Sequence, residues 1–376
     1  MDNHRPTWAE IDLAALRHNL TSIKKSAGDA KVMAMVKANA YGHGMLEVSR
    51  VCREAKVDFF GVASLDEALS LAQEIDDIPI LVMSNTPARD AERVVAEGIR
   101  TTVFTLEAAR GLSQAALKLN REAYVHIKLD TGMGRIGFLP GRESLDQVQK
   151  IAALPGIRIE GLFTHFAEAD VENSDFTRQQ LSTFADFIRQ LEDRGINIPL
   201  KHCSNSAALM NFPTAHFNMI RAGIVLYGLY PSPPSERHEL DIIPVMTLKS
   251  RVSYVKTLPA GYSVSYGRTY CCQQDTPVAT VPIGYADGYS RLLSNRVWAV
   301  IRGKRVPLVG NVCMDMCMFD VSGIGEVKEG DQIILFGRAE DGVTADDLAA
   351  AMGTINYEVV SALGSRIPRI FKNDRL

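Results

Sequence analysis

Short apolar runs alternate with amphipathic stretches through roughly the first 230 residues. Eight runs of strand length fall at residues 32–36, 59–63, 80–83, 101–104, 124–129, 159–163, 198–202 and 225–227. Between most of them, as at residues 66–75 and 181–191, the spacing of apolar residues or an acidic first turn predicts a helix. Eight strands alternating with helices are typical of a (β/α)8 TIM-like barrel. A doubly wound open sheet is the competing α/β fold.

The pattern changes near residue 230. The stretch PSPPSERHELDIIP, residues 231–244, is rich in Pro and Ser and is typical of a linker. Beyond it, strands are predicted at residues 247–255, 278–282, 298–301, 318–321 and 332–336, and one helix at residues 344–352. The sequence therefore predicts a barrel domain over residues 1–240 and a smaller, mostly β-strand domain over residues 241–376. The first ~10 residues are candidates to pack with the second domain.

Composition excludes several classes of protein. The chain has 41 Lys and Arg against 44 Asp and Glu, which argues against a nucleic-acid partner bound through a basic surface. No run approaches the ~18 apolar residues of a membrane span, and the N-terminus lacks the apolar stretch of a signal peptide. Six cysteines in a chain of this length do not predict a disulfide framework, and their spacing does not predict a metal site. We expect a cytoplasmic protein without a membrane partner.

The first candidate for chemistry is Lys37, which directly follows the predicted strand at residues 32–36 and precedes ANAYGHG. In a parallel barrel the C-terminal ends of the strands face the active site. Burial there lowers the pKa of a lysine and supplies the neutral amine that a Schiff base requires. A lysine at this position is more often structural than catalytic, with its aliphatic stem lying against the strand end and its amine in water.

Further polar residues follow other predicted strands. Tyr41 lies in the glycine-bearing loop behind Lys37. The segment IKLDTGMGRIG places Lys128 and Arg135 after the fifth strand, where an arginine can hold a carboxylate through two hydrogen bonds. His165 follows the sixth strand, in GLFTHFAEAD. Each of these residues also has an ordinary structural explanation at a strand end or on the surface.

Barrels often bind phosphate with the loops that follow strands seven and eight. HCSNSAA supplies Asn205 and Ser206 in the first of these loops. MIRAGIVLYG supplies Arg221 and Gly223 just before the core of the predicted eighth strand. No single residue carries the argument, but a lysine, an arginine and a candidate phosphate site converge on one barrel mouth. We therefore predict a functional site there.

The second domain contributes tyrosines whose roles the residues alone leave open. Tyr266 lies in SVSYGRTY, Tyr285 in PIGYADGYSR and Tyr357 in TINYEVV. Tyrosines of a β-rich domain are usually packing residues. A tyrosine with a lowered pKa is also able to act as a general acid or base.

Together the motifs closely resemble those of bacterial alanine racemases. In chain order they are TWAEIDLAALRHN, AMVKANAYGHG, KLDTGMGRIG, GLFTHFA, HCSNSAA, NMIRAGIVLYG, VSYGRTY, PIGYADGY, CMD and TINYEVVSALGSRIPRI. The match runs from about Thr7 to Ile370. It implies an isomerase that racemises alanine with pyridoxal 5'-phosphate, works as a homodimer with shared active sites and supplies D-alanine for peptidoglycan.

The resemblance also implies a role for each matching residue near the reacting atom. Lys37 would form the aldimine with pyridoxal phosphate and act as one acid/base group. Tyr266 of the partner subunit would be the second, on the opposite face of the substrate. Arg221 would face the pyridine nitrogen, and His165 would support Arg221 or Tyr266. The remaining cofactor contacts would come from Tyr41, Asn205, Ser206, Gly223, Ile224 and Tyr357.

The substrate would meet a further set of residues. Arg135 and Met314 of the partner subunit would bind its carboxylate. Lys128 matches a lysine that is carbamylated in many relatives and braces the arginine. The access corridor would be lined by Asp170, Tyr285, Arg291 and Asn311. Asn311 stands where many relatives have arginine, so a wider corridor, and with it a broader-specificity or serine racemase, is the alternative function.

Two other pyridoxal phosphate proteins with this barrel are rivals. A basic amino acid decarboxylase would have an acidic residue at the pyridine nitrogen, whereas the matching position here is Arg221. A non-catalytic pyridoxal phosphate carrier would lack the β-rich domain that begins near residue 241. Both comparisons favour the racemase.

Overall fold

The first strand of the chain belongs to a sheet made mostly by its C-terminal part. The computed structural model describes residues 5–171, 173–231 and 240–373, so the middle of the predicted linker, residues 232–239, lies outside the described residues. Strand β1 (Thr7–Asp12) pairs antiparallel with residues 246–250 and parallel with residues 369–372. The two ends of the described chain therefore meet in one sheet.

Eight parallel strands form the barrel. They are β2 (Lys31–Met35), β3 (Phe59–Val62), β4 (Ile80–Val82), β5 (Arg100–Val103), β6 (Ala123–Lys128), β7 (Ile157–Phe163), β8 (Leu200–His202) and β9 (Met219–Ala222). Strands β2 to β8 lie side by side in chain order, with β9 next to β2. A 3.1 Å backbone hydrogen bond from Arg221 N to Ser204 O brings the two ends of the sheet together. The barrel predicted from the sequence is confirmed.

Helices cover the outside of the barrel, apart from α2 (Lys37–Tyr41), a single left-handed turn at the C-terminal end of β2. The covering helices are α1 (Leu13–Ala27), α3 (Met45–Glu54), α4 (Leu65–Ala72), α5 (Ala91–Ala96), α6 (Leu106–Leu119), α7 (Arg142–Ala152), α8 (Asp175–Asp193) and α9 (Ser206–Asn211). Side-chain caps fix several starts: Ser64 accepts from Glu67 N at α4, and Thr105 accepts from Ala108 N at α6. No helix in the described ranges is long and apolar enough to cross a bilayer.

The predicted position of the eighth strand is wrong. Residues 225–227 do not form a strand, because Ile224–Tyr227 is a buried 3-10 turn. The strand is β9, which ends at Ala222. A short apolar run looks the same in a buried strand and in a buried helical turn, so periodicity does not separate them. The shift places Arg221 inside the strand rather than before it.

The C-terminal part is mostly β, as predicted. Its elements are β10 (Met246–Arg251), β11 (Tyr254–Leu258), β12 (Ser263–Val264), β13 (Tyr270–Cys271), β14 (Thr276–Val281), β15 (Trp298–Ile301), β16 (Lys304–Pro307), β17 (Cys317–Asp320), β18 (Gln332–Phe336), α10 (Ala345–Met352), α11 (Asn356–Ser361) and β19 (Arg369–Lys372). One sheet has the order β16-β15-β18-β10-β1-β19, and another has β11-β14-β17. The predicted strand at residues 247–255 is therefore two strands, because the chain changes sheets after β10.

The carboxylate of Asp12 joins the two parts of the molecule. One oxygen caps α1 by accepting from Ala14 N at 2.9 Å and Ala15 N at 3.0 Å. The other accepts from Arg338 Nη2 at 2.6 Å, on the loop after β18. Asp12 is 7% exposed, so both interactions are largely shielded from water. This one side chain ties the first barrel helix to the C-terminal sheet.

We expect Asp12→Ala to lower the free energy of unfolding by about 2–4 kcal/mol, because it removes a helix cap and the shielded ion pair with Arg338. Asp12→Asn keeps a capping oxygen and should lose less. The midpoint of urea unfolding measures both variants. Thr21→Ala, on the exposed side of the same helix, is the control and should stay within about 0.5 kcal/mol of the parent chain. Equal losses for Asp12→Ala and the control would contradict the role of this carboxylate.

Candidate active site

Lys37 begins a turn of the opposite hand to an ordinary helix. The next four residues, Ala38 to Tyr41, have φ values of 52°, 53°, 53° and 51°. For residues with a Cβ atom this left-handed conformation costs about 1–2 kcal/mol each. Its persistence over a whole turn means that neighbouring groups hold it in place.

Glu67 supplies one of these restraints. Its carboxylate accepts from Ala38 N at 2.7 Å and from Ala63 N at 2.8 Å, so it bridges the turn to the end of the next strand. The side chain of Asn39 accepts from Met45 N at 2.9 Å and fixes the far side of the turn. The backbone that carries Lys37 is therefore fixed on both sides.

The C-terminal domain supplies a second restraint. Gly42 has a φ of 83°, and a Cβ on it would lie 2.2 Å from the carbonyl oxygen of Val360 in α11. Arg369 Nε donates to Gly42 O at 2.8 Å. Only glycine permits this close approach together with the positive φ. The turn is thus clamped between the barrel and the second domain.

His43 completes the support from within the core. Its Nδ1 lies 3.1 Å from Ala40 O and 2.9 Å from Tyr41 O. Both partners are carbonyls, so Nδ1 carries the proton and donates it. Burial lowers the pKa of His43 to about 4, which keeps the ring neutral. The ring stacks on Tyr227, whose hydroxyl donates to Met35 O at 2.8 Å.

A cavity of about 220 Å³ opens at the C-terminal ends of the barrel strands. It brings together eleven residues predicted from the sequence: Lys37, Tyr41, Lys128, Arg135, His165, Asn205, Ser206, Arg221, Gly223, Ile224 and Tyr357. The other lining residues are Met35, Met83, Ile136 and Phe163, which the sequence analysis did not single out. Tyr357 comes from α11, so the cavity is closed partly by the second domain.

Positive charge dominates this cavity. Lys37, Lys128, Arg135 and Arg221 line it, and none of its described lining residues is an Asp or Glu. Burial lowers the pKa of Lys37, and the charge of Arg135 lowers it further. Burial, with Arg221 nearby, lowers the pKa of Lys128 to about 7. Such a site favours an anionic ligand and holds amines that lose their protons readily.

Asp130 shapes the loop that carries Arg135. One carboxylate oxygen accepts from Gly132 N and Gly134 N, each at 3.0 Å, and the other accepts from Arg135 N at 3.1 Å. Gly137 has a φ of 132°, and a Cβ there would lie 2.6 Å from the backbone nitrogen of Asp130. The glycines of GMGRIG therefore permit a tight loop around one carboxylate.

Arg221 is buried and fixed by the barrel wall. Its Nη1 donates to His202 O at 2.9 Å and to His202 Nδ1 at 3.1 Å. Its Nη2 donates to Thr164 O at 2.9 Å, to Cys203 O at 3.0 Å and to His165 Nδ1 at 3.1 Å. Burial lowers its pKa to about 10, so the guanidinium stays charged at neutral pH. It is a rigid cation that does not readily give up a proton.

Hydroxyl groups and glycine form the opposite wall. Gly223 N donates to Ser206 Oγ at 2.9 Å, and a Cβ on Gly223 would lie 3.1 Å from the hydroxyl of Tyr41. Burial raises the pKa of Tyr41 to about 12, so its hydroxyl remains a donor. Asn205 instead caps α9 by accepting from Ala208 N at 2.9 Å. Hydroxyl donors and open backbone suit a phosphate.

The remaining predicted residues do not line this cavity. Tyr266, Tyr285, Arg291, Asn311 and Met314 form a surface of the C-terminal domain, which we call the tyrosine patch. Asn311 Nδ2 donates to Tyr266 O at 2.6 Å, and Ala286 N donates to Met314 O at 3.0 Å. Tyr266 is 69% exposed. Within one chain, the structure does not place Tyr266 beside Lys37.

Asp170 lies on the barrel side and is exposed. Burial is the main reason that the pKa of Tyr357 is raised, and the charge of Asp170 adds to it. Asp170 therefore acts electrostatically on a tyrosine of the cavity, although it does not line the cavity itself.

Three residues that support the site are not predicted from the sequence. The acidic start of α4 is a helix signal, but Glu67 also bonds to the turn after Lys37. His202 lies within HCSNSAA, where the sequence predicts no role for it, and it predicts none for His126. One signal was present: His126 and Lys128 are two apart on β6, so both side chains point to the same face of the sheet.

Comparisons with known proteins identify the family of both parts of the chain. Residues 11–231 match the family described as alanine racemase, N-terminal domain, and residues 245–371 match alanine racemase, C-terminal domain. An alanine racemase of Clostridium perfringens strain SM101 is 45% identical over 372 residues, covering 98% of this chain and 96% of that protein. One of Methanococcus maripaludis is 43% identical over 368 residues, covering 97% and 98%.

Solved structures show the same likeness. The alanine racemase of Clostridium difficile 630 superposes with a TM-score of 0.94 at 40% identity, covering 99% of this chain and 97% of that one. The alanine racemase of Bacillus anthracis with bound L-Ala-P gives 0.93 at 36% identity, covering 99% and 96%. The family resemblance seen in the motifs is confirmed.

The lowered pKa values predict which lysines react with a small aldehyde. Reductive methylation by formaldehyde needs a neutral amine, so an ordinary exposed lysine slows about a hundredfold between pH 9 and pH 7. Lys128, with a pKa of about 7, should slow only about twofold, and Lys37 should also slow less than exposed lysines. Peptide mass spectrometry measures each site, with the exposed Lys304 as the internal reference. Equal slowing at all three would refute the assignment.

Proposed function

This chain belongs to the alanine racemase family, and we propose that it interconverts L-alanine and D-alanine with pyridoxal 5'-phosphate bound in the barrel cavity. The observation that carries the proposal is Lys37, an amine with a lowered pKa that a strained turn holds at the mouth of a cationic cavity. The family match supports the reaction, and the residues that line the cavity support the chemistry it requires.

The lining residues fit the cofactor. The hydroxyls of Tyr41, Ser206 and Tyr357 and the backbone of Gly223 and Ile224 would hold its phosphate, with Asn205 fixing that loop by capping α9. When bound through a lysine amine, pyridoxal phosphate stabilises negative charge at the α-carbon of an amino acid. The buried hydroxyls remain protonated at neutral pH because burial raises the pKa of Tyr41 and of Tyr357.

Arg221 would face the pyridine nitrogen of the cofactor, with His165 held against it. A guanidinium does not readily donate its proton, so it leaves that nitrogen unprotonated. The cofactor ring would then stabilise negative charge at the α-carbon less strongly, which would suppress side reactions such as transamination. The five hydrogen bonds of Arg221 to the barrel wall keep it from moving away.

Racemisation needs proton transfer at both faces of the α-carbon. Lys37, with its lowered pKa, would take or give the proton on one face. We propose that Tyr266 of a second copy of the chain serves the other face. Its exposure within the tyrosine patch supports this role, because exposed apolar and aromatic clusters mark interfaces. The active form would then be a homodimer with two shared sites.

Arg135 would bind the substrate carboxylate, together with Met314 of the second copy. Lys128 lies close enough to influence Arg135 electrostatically, and a pKa of about 7 leaves it able to form a carbamate with CO2. That modification would replace a positive charge with a negative one beside the arginine. We propose it as the means by which the cluster of cations is partly neutralised.

The access corridor would run between Asp170 and the patch residues Tyr285, Arg291 and Asn311. Asn311 is shorter than the arginine of many relatives, and its amide is already bonded to Tyr266 O. This favours a wider corridor and makes serine the second candidate substrate. We further propose that the reaction takes place in the cytoplasm and supplies D-alanine for peptidoglycan.

The reaction is tested by measuring D-alanine formed from L-alanine by purified protein, with and without added pyridoxal phosphate. We expect cofactor-dependent D-alanine from the parent chain and a loss of at least about a thousandfold in Lys37→Ala, because an acid/base and attachment group is removed. Lys304→Ala is the surface control and should keep full activity.

Assays with other amino acids distinguish the proposed function from its alternatives. Comparable kcat/KM values for L-serine and L-alanine would indicate a broad-specificity racemase. Release of CO2 from lysine, ornithine or arginine, without inversion of alanine, would indicate a decarboxylase and overturn the proposal. Bound cofactor without turnover of any of these amino acids would indicate a carrier protein.

Shared sites are tested by mixing two inactive variants. Lys37→Ala and Tyr266→Phe chains should each be nearly inactive as homodimers. Their heterodimer carries one site with both residues intact, so complete exchange should restore up to about a quarter of the parent activity when the subunits mix at random. Tyr254→Phe, an exposed tyrosine of β11, is the control and should not lose activity. Exchanged heterodimers without activity would contradict the shared site.

A further inference from the structure

A line of buried polar side chains runs from Arg221 down through the barrel. His202 Nε2 lies 2.9 Å from His126 Nδ1, and His126 Nε2 lies 3.2 Å from Glu160 Oε2. Glu160 also accepts from Arg100 Nε at 3.3 Å. Both histidines are fully buried. We call this line the His–His–Glu relay; its upper end contacts Arg221 at the cavity, and its lower end reaches the rim of the barrel.

The contacts determine which nitrogen of each imidazole ring carries the proton. Arg221 is a pure donor, so His202 Nδ1 must be an acceptor and its proton sits on Nε2. That proton is donated to His126 Nδ1, which leaves the proton of His126 on Nε2. The carboxylate of Glu160 accepts it. Every donor in the relay meets one acceptor, and only one pair of tautomers satisfies all the contacts.

The fold makes special room for this arrangement. Val125 pairs with Ile159, whereas the next residue, His126, pairs with Gly161, so Glu160 is the extra residue of a β-bulge. Bulges often redirect a side chain near an active site. A Cβ on Gly161 would lie 2.2 Å from His126 Nδ1, so only glycine leaves space for the ring there. His202 is held by stacking on Phe163, with ring centroids 4.8 Å apart and planes at 5°.

We propose that Glu160 is a positioning residue for the reaction, and that it acts through His126 and His202 to keep Arg221 in the orientation it needs toward the ligand. Glu160 prefers the tautomer of His126 with its proton on Nε2, and this in turn leaves the Nδ1 lone pair of His202 pointing at Arg221. In the opposite tautomers, an N–H of His202 would face an N–H of the guanidinium. The proposal rests on the proposed function, because it assigns Arg221 to the cofactor ring.

The relay would also explain why polar groups cross an interior that is otherwise apolar. Met33, Met35, Phe59, Leu81, Leu200 and Met219 form a buried cluster inside the barrel. Burying two uncharged imidazoles and one carboxylate in place of such side chains costs free energy unless all their polar atoms form hydrogen bonds. The relay meets that condition, and it delivers the influence of a carboxylate to Arg221 without placing a negative charge beside the cofactor.

The test compares Glu160→Leu with Glu160→Gln. Leucine removes the acceptor of His126, whereas glutamine keeps an acceptor oxygen and removes only the charge. We expect Glu160→Leu to lower kcat by about tenfold with KM changed by less than about twofold, and to raise the ratio of transamination to racemisation. Glu160→Gln should recover most of the loss. Glu122→Leu, an acidic residue beside β6 that bonds to Tyr124 instead, is the matched control.

A second readout does not depend on activity. In protein labelled with ¹⁵N at the imidazole nitrogens, the parent should show His202 and His126 each protonated at Nε2 alone. Glu160→Leu should show a mixture of tautomers at both rings, and Glu160→Gln should resemble the parent. This spectrum is recorded with and without pyridoxal phosphate. If Glu160→Leu fails to fold, His126→Phe breaks the relay with a ring of similar size. We then expect the ¹⁵N spectrum of His202 to show the mixture of tautomers.

The outcomes separate two failures. Parent-like tautomers and parent-like kcat in Glu160→Leu would overturn the relay proposal, whatever reaction the protein catalyses. Altered tautomers with kcat and the transamination ratio unchanged would also overturn it, because the relay would then be purely structural. A parent chain that racemises no amino acid, yet shows the expected tautomers, would contradict the proposed function and remove the role of Glu160 in catalysis.

Discussion

The position of Lys37 depends on a turn that L-residues disfavour. Four consecutive residues at positive φ cost about 1–2 kcal/mol each, so surrounding contacts must fix the turn. Glu67 binds it to the barrel, and Val360 and Arg369 hold Gly42 from the second domain. A reactive lysine gains from this strain, because the rigid turn keeps the amine in one place. The second domain therefore helps to position Lys37, although this residue belongs to the barrel.

The same site concentrates positive charge in a buried place, which is normally unfavourable. The protein meets this cost in different ways. Arg221 keeps its charge because three carbonyls and two histidines accept from it. Burial lowers the pKa of both lysines. The pKa of Lys128 falls to about 7, so this lysine gives up part of its charge at neutral pH. What remains is a field that favours a ligand with two anionic groups, such as a phosphate and a carboxylate.

The sequence revealed the barrel, the β-rich part and the residues at the strand ends, because strand length and periodicity reflect burial directly. The predicted position of the eighth strand was wrong, because a buried strand and a buried helical turn have the same apolar sequence pattern. The apolar run after Gly223 is a 3-10 turn, and β9 lies before it. The sequence also could not show Glu67 or Glu160 in their roles. Glu67 bonds to a backbone amide of the turn after Lys37, and Glu160 bonds to side chains on other strands. These partners are distant in sequence, and the bulge that redirects Glu160 leaves no mark in the local pattern.

The proposed division of the site between two surfaces would follow from the geometry of the barrel. Its functional side chains all approach from the ends of parallel strands, so they reach a bound α-carbon from one side. A reaction that exchanges protons at both faces needs a group above the barrel mouth, which the barrel itself cannot provide. The second domain holds Tyr357 against its own cavity but carries Tyr266 on an exposed surface elsewhere. A second copy of the chain is thus the simplest source of the missing face, and this requirement would make dimerisation part of catalysis.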